Sequence, residues 1–133
     1  MLAAGKICEE KGALKVVELN VSGPFHSSLL QGAGEQLAEA LKDVTINDIA
    51  IPYIANVTAE YVTDKNDVKE LLKKQVSSSV RWQQSLELMI KDGVDEFIEI
   101  GPGHTLAGFV KKIDRSLKTV NIDTLEDLEK FLQ

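Results

Sequence analysis

The stretch "DEFIEIGPGHTLAGFVKKI", residues 95–113, constrains the fold more than any other part of the chain. Its first half is a short apolar run of the kind that forms a buried strand. Its second half places apolar residues at helical spacing. Between them stands Gly101-Pro102-Gly103, where glycine lets the backbone turn tightly and approach another group closely. The run "KTVNI" follows as a second short strand. A similar change of period occurs at Gly23-Pro24, between "LKVVELNV" and the helical pattern of Leu29, Leu30, Ala33, Leu37, Ala38 and Leu41, which predicts a helix over about 27–43. Helices alternating with short apolar strands predict an α/β protein with a mostly parallel sheet. Ligands of open α/β sheets bind where strands give way to helices, so both corners are candidate sites.

The remaining elements follow from local signals. A first helix runs from Leu2 and closes at Gly12, with Leu2, Ala3, Ile7 and Cys8 as its apolar stripe. "IAIPYIANV" is a strand candidate that Pro52 confines to an edge or a strand start. Asp67 and Glu70 have capping-box spacing for a helix reaching about Val76. A further helix is expected to start at the serines 77–79, to bury Val80, Leu86, Met89 and Ile90, and to stop at Gly93. Asp123 and Glu126 are spaced to cap a last helix buried through Leu125, Leu128 and Leu132.

Composition excludes several classes of partner. The 133 residues are 44% apolar and 27% charged, enough for one domain with a core. A net charge of −6 argues against nucleic acid or an anionic membrane as the main partner. No run approaches the ~18 apolar residues of a membrane span. The lone Cys8 permits no internal disulfide, and "MLAAGKICEEKG" lacks the apolar core of a signal peptide, so a cytoplasmic location is expected. Two distant histidines and one cysteine make no metal pattern, and no phosphate-binding glycine motif is present.

The chemistry-bearing candidate is His26 in "NVSGPFHSSLL". Imidazole exchanges protons near neutral pH, and a helix N-terminus favours its neutral form, as a base requires. The alternative is a histidine that only hydrogen-bonds backbone at a cap. Nucleophiles for it are poor. Ser27 and Ser28 are its immediate neighbours and do not face it, Cys8 is expected in the core, and no G-x-S-x-G elbow occurs. His104, in "GPGHTL", is expected to be a solvated residue at a tight turn.

"NVSGPFHSSLL", "PYIANVTAEYV" and "KKQVSSSVRWQQSLELMIKDGVDEFIEIGPGHTLAGFVKKI" together resemble the C-terminal portion of the malonyl-CoA:acyl-carrier-protein transacylase family. The match spans nearly the whole chain. The resemblance implies malonyl transfer from malonyl-CoA to the phosphopantetheine thiol of acyl carrier protein through a malonyl-serine. It implies that His26 is the general base, that the main-chain carbonyl of Gln75 orients it, and that Phe25 and Asn56 lie at the substrate. For Phe25 simple packing at the corner is the alternative. Trp82 is expected in the core or wall of the site, and neither Arg81 nor Arg115 matches the arginine that pairs with the malonyl carboxylate.

The same resemblance implies that the serine elbow, an oxyanion-hole glutamine and that arginine all precede this sequence. The chain then corresponds to roughly the C-terminal 40–45% of a member, expected to be inactive alone. Residues 1–22 are expected to end a small ferredoxin-like subdomain, and 23–133 to belong to a large α/β-hydrolase-like subdomain. Malonyl-CoA is the substrate, with no bound cofactor and no metal. The partners are acyl carrier protein and either the missing N-terminal half or a second copy meeting the uncovered face. The alternative function is a non-catalytic binding or scaffold module.

Overall fold

Two parallel strands and the helix between them organise the C-terminal half. β3 (Glu96–Ile100) pairs with β4 (Lys118–Ile122) in register Phe97↔Thr119 and Ile98↔Val120. Parallel neighbours need a crossover, and α5 (Thr105–Ile113) supplies it. The computed structural model describes residues 2–18 and 21–133. In it α1 spans Leu2–Glu10, α2 Gln31–Ala40, α3 Val68–Ser77, α4 Trp82–Lys91 and α6 Leu125–Phe131.

The core forms where α4 and α5 meet the parallel pair. Leu86 is fully buried, with Val110 and Leu117 beside it and Trp82, Met89, Ile90 and Phe97 packed around them. Removing one leucine side chain of this kind from water contributes about 1.5–3 kcal/mol. Ser85 is buried on the same face of α4, and its hydroxyl donates to the Arg81 carbonyl at 3.0 Å, so its polar atom is satisfied.

α2 and α3 pack as an antiparallel pair. A Cβ at the buried Gly34 would lie 2.9 Å from the Lys73 carbonyl oxygen, so glycine permits the close approach. One residue on, Glu35 pairs with the Lys73 ammonium at 2.9 Å. The Lys69 ammonium donates to the Lys42 carbonyl at 3.2 Å farther along.

β1 (Tyr53–Ala55) begins directly after Pro52, as that residue's missing N–H requires. It pairs antiparallel with β2 (Glu60–Val62), which the sequence pattern did not reveal. Among the described residues there are thus two separate two-stranded sheets, one antiparallel and one parallel, rather than a mostly parallel sheet.

Several local expectations are corrected. Residues 14–18 form no strand, because no described segment pairs with them, and Leu14 and Val17 stay exposed; Leu19 and Asn20 of that run lie outside the described residues. Cys8 is exposed, as are Leu2 and Ile7, so α1 has no buried face among the described residues. α4 starts at Trp82, not at the serines, and Val80 is exposed.

Both predicted capping boxes shift. The Asp67 carboxylate caps nothing. Asp64 instead accepts from the Asn66 amide at 2.8 Å and caps the 3₁₀ turn Lys65–Asp67 that feeds α3. In α6 the box joins Thr124 and Asp127, one residue beyond the expected pair. The Asp127 carboxylate accepts from the Thr124 amide at 2.9 Å, and the Thr124 hydroxyl oxygen accepts from the Asp127 amide. Leu125, Leu128 and Leu132 are exposed, because no described element covers that side of α6.

Candidate active site

Gly23-Pro24 turns the chain, and Ser27 locks the corner by donating its hydroxyl to the Pro24 carbonyl at 2.7 Å. His26 sits inside this corner at φ +57°, a left-handed conformation rare outside glycine and costing about 1–3 kcal/mol. A 3₁₀ turn, Ser28–Leu30, then leads into α2. His26 therefore precedes the helical segment and does not cap α2.

The imidazole has a defined partner 49 residues away. His26 Nδ1 lies 3.0 Å from the main-chain oxygen of Gln75. Gln75 is in the last turn of α3, which ends at Ser77 as Ser78 becomes extended. No amide four residues on remains in the helix to bond that carbonyl, so it is one of the free acceptors of a helix C-terminus. A carbonyl oxygen can only accept, so Nδ1 carries a proton, and in the neutral ring Nε2 is left as the acceptor. The residue is exposed, and among the described residues no group hydrogen-bonds Nε2.

The other candidates fall nearby in sequence but not onto the ring. Phe25 is 60% exposed, and its ring lies over Gly23, where an added Cβ would stand 3.6 Å from it. Asn56 is half-buried in the β1–β2 turn, and its carbonyl accepts from the Arg81 amide at 2.8 Å. Neither shares a hydrogen bond with His26 among the described residues. Arg81 also donates from Nη1 to the Thr58 carbonyl at 2.7 Å, so it fastens the β1–β2 turn to the segment between Gln75 and α4. Trp82 packs against the core, with its buried indole N–H unpaired. Arg115 is exposed in the turn before β4.

Glu99 organises the Gly-Pro-Gly turn, a role the sequence pattern left unread. Gly101 at φ +129° and Gly103 at φ +96° need glycine. The Glu99 carboxylate accepts from the amides of Ala107 at 2.8 Å and Leu106 at 3.1 Å, and from the Asn121 side chain at 3.0 Å. It thereby satisfies two free amides of α5 and ties them to both strands. These bonds, the Ala107 amide first, hold the Glu99 carboxyl below its ordinary range. The signal was present in the sequence as a carboxylate two residues before the turn. His104 occupies the N-cap position of α5, exposed and without a capping side-chain bond.

An open cleft of about 240 Å³ lies between the hairpin and α3, lined by Thr58, Glu60, Tyr61, Glu70 and Lys74. It does not include His26, whose geometry is the better guide to chemistry. Among the described residues no three His, Cys, Asp or Glu side chains converge as metal ligands, and no helix is long and apolar enough to cross a membrane.

No protein-family model matches the chain. Among characterised relatives, the malonyl CoA-acyl carrier protein transacylase of Bacillus subtilis (strain 168) is 45% identical over 130 residues, covering 98% of this chain and 41% of the relative. The chain is homologous to a C-terminal portion of the malonyl CoA-acyl carrier protein transacylases. The transacylase of Staphylococcus aureus (strain COL) is 44% identical over 118 residues, 89% of this chain and 38% of its own length.

Solved transacylase structures agree. The Streptococcus pneumoniae enzyme superposes with TM-score 0.87 at 40% identity, over 96% of this chain and 41% of that one. The Bartonella henselae acyl-carrier-protein S-malonyltransferase does so with TM-score 0.89 at 35% identity, over 98% and 42%. A further neighbour, at 29% identity and TM-score 0.88, is a malonyl-transacylase in complex with a type II polyketide acyl-carrier protein. The chain thus spans about two fifths of the length of the transacylases it matches, and its α/β architecture is theirs.

Proposed function

We propose that this chain carries the proton-accepting half of a malonyl transacylase site, which moves malonyl from malonyl-CoA to the phosphopantetheine thiol of acyl carrier protein. The observation that carries the reading is the 3.0 Å contact between His26 Nδ1 and the Gln75 carbonyl. That contact fixes the tautomer and aims a bare Nε2 outward, as a general base requires. The homology to transacylases supports the reaction class, and the complex of a neighbouring transacylase with its carrier protein supports the partner.

In this mechanism the nucleophile is a serine of the N-terminal portion, outside these residues. As the serine oxygen attacks the malonyl thioester, its proton passes to His26 Nε2. The carbon–sulfur bond breaks, and the proton goes on to the coenzyme A sulfur. The carrier-protein thiol then gives its proton to Nε2 while its sulfur attacks the malonyl-serine, and the proton returns to the serine oxygen. The Gln75 carbonyl stabilises the imidazolium at each transfer, helped by the negative end of α3. Phe25 and Asn56 line the acyl group. Residues 1–22 end a small ferredoxin-like subdomain, 23–133 belong to the large one, the enzyme is cytoplasmic, and it uses no bound cofactor.

Alone, the chain forms no acyl-enzyme. Incubation with labelled malonyl-CoA is expected to leave it unlabelled, and stable labelling would contradict the reading. A second reading, a binding module without chemistry, draws on the exposed apolar residues of β3, Ile98 and Ile100, which suit a partner surface. Binding of carrier protein that is unchanged by His26→Ala, with no activity on adding the serine-bearing portion, would favour it.

A further inference from the structure

The bond between His26 and Gln75 joins two segments that also meet where α2 and the 3₁₀ turn Ser28–Leu30 pack on α3. Three ties run in order along α3. The Lys69 side chain reaches the Lys42 carbonyl. Lys73 meets α2 through its carbonyl at Gly34 and its ammonium at Glu35. Gln75 meets His26. The Gly34 contact is the closest approach of main chain to main chain in this series, since a Cβ there would stand 2.9 Å from the Lys73 oxygen.

We infer that Gly34 is a positioning residue: by letting α2 lie directly against the Lys73 carbonyl, it sets the distance at which the Gln75 carbonyl meets the His26 ring. Lys73 and Gln75 are two residues apart on one rigid helix, a rise of about 3 Å. Outward movement at Lys73 therefore carries the Gln75 oxygen with it. On the other side, His26 stands five residues before Gln31, where α2 begins, joined by the locked corner and a single 3₁₀ turn. The contact has little slack. At 3.0 Å, a retreat of about 0.5 Å takes it to the limit of a hydrogen bond. Alanine at 34 would meet the Lys73 main-chain oxygen at 2.9 Å, so the helices must part by about 0.5 Å to reach ordinary contact, and valine requires more. Gly32, on the same helix, is the internal control, because a Cβ there meets nothing within 4 Å.

The inference deepens the reading of His26 as a base and rests on it for its meaning, but its test reads the hydrogen bond itself. Long-range ¹H–¹⁵N spectra of the 133-residue chain report the tautomer of each imidazole, with exposed His104 as the second, reference ring. Wild type and Gly32→Ala are expected to show His26 as Nδ1–H. Gly34→Ala should raise the Nε2–H share several-fold, and Gly34→Val should raise it roughly tenfold, with His104 unchanged.

Should Gly34→Val fail to fold, the exposed pair provides a second route. Glu35→Lys places two ammonium groups together and is expected to raise the Nε2–H share about twofold, and Glu35→Lys with Lys73→Glu to restore it. An unchanged His26 tautomer in folded Gly34→Val, or an Nε2–H ring in wild type, overturns the positioning role. A tautomer that responds as stated in a chain that never supports acyl transfer supports the positioning role and overturns only the base.

Discussion

Arg81 grips the Thr58 carbonyl from Nη1 at 2.7 Å, while its own amide donates to Asn56 at 2.8 Å. One residue thus holds both ends of the β1–β2 turn, where Ala59 adopts φ +57°. Arg81→Ala is expected to cost about 1 kcal/mol and to lower Tm by about 3–5 °C. Arg81→Lys should recover part of that, because an ammonium reaches a carbonyl without the planar fork. Thermal melts followed by circular dichroism measure both.

The core centres on one side chain. Leu86 is fully buried between Val110 and Leu117, so Leu86→Ala should cost about 2–5 kcal/mol. Leu125 is 71% exposed on α6, and Leu125→Ala should stay within about 0.5 kcal/mol of wild type. Urea denaturation with parallel slopes for the three proteins is the measurement.

Glu99 makes stability depend on acid. Its carboxyl lies below the ordinary value of 4.5, chiefly through the Ala107 amide. Such a group stabilises the fold fully above its unfolded pKa, and that contribution is lost as pH falls through the lower folded value. Asp114, bonded to Ser116, and Asp127, bonded to Thr124, act in the same direction. Tm is therefore expected to fall on acidification below about pH 4.5. Glu99→Gln should have a lower Tm at pH 7 and a shallower decline in acid. Melts from pH 7 to pH 3 test the slope.

β3 pairs with β4 alone among the described residues, and Ile98 and Ile100 are exposed at 44% and 78%. Unpaired edges bearing apolar side chains associate. Sedimentation equilibrium of the isolated chain should show mass rising with concentration, and Ile100→Lys should reduce it. A monomer at every concentration would contradict this expectation.

What the sequence revealed was what is decided locally. Gly101 and Gly103 needed glycine for positive φ, and the change of period around them marked β3, α5 and β4. The β1–β2 hairpin was not legible, because Ala59, rather than glycine or asparagine, takes the left-handed position in its turn. Residues 14–18 had a strand's composition, but a strand exists only through a neighbour's ladder. The Leu125, Leu128 and Leu132 stripe had a buried helix's spacing, yet burial depends on what lies across from it. The His26–Gln75 contact spans 49 residues, a separation that periodicity cannot bridge. Gln75 was reached through family resemblance, whereas Glu99, which accepts from the Leu106 and Ala107 amides seven and eight residues on, was overlooked although those two bonds are local.

The central claim is that the bare nitrogen of His26 takes the proton of a serine that lies outside these 133 residues. Its most direct test co-expresses this chain with the remaining N-terminal portion of the Bacillus subtilis relative and follows malonyl transfer from malonyl-CoA to carrier protein. The account predicts transfer only when both polypeptides are present, malonyl on the N-terminal one, and a loss of at least about 100-fold with His26→Ala. Malonyl on this chain, or transfer at an undiminished rate with His26→Ala, would contradict it.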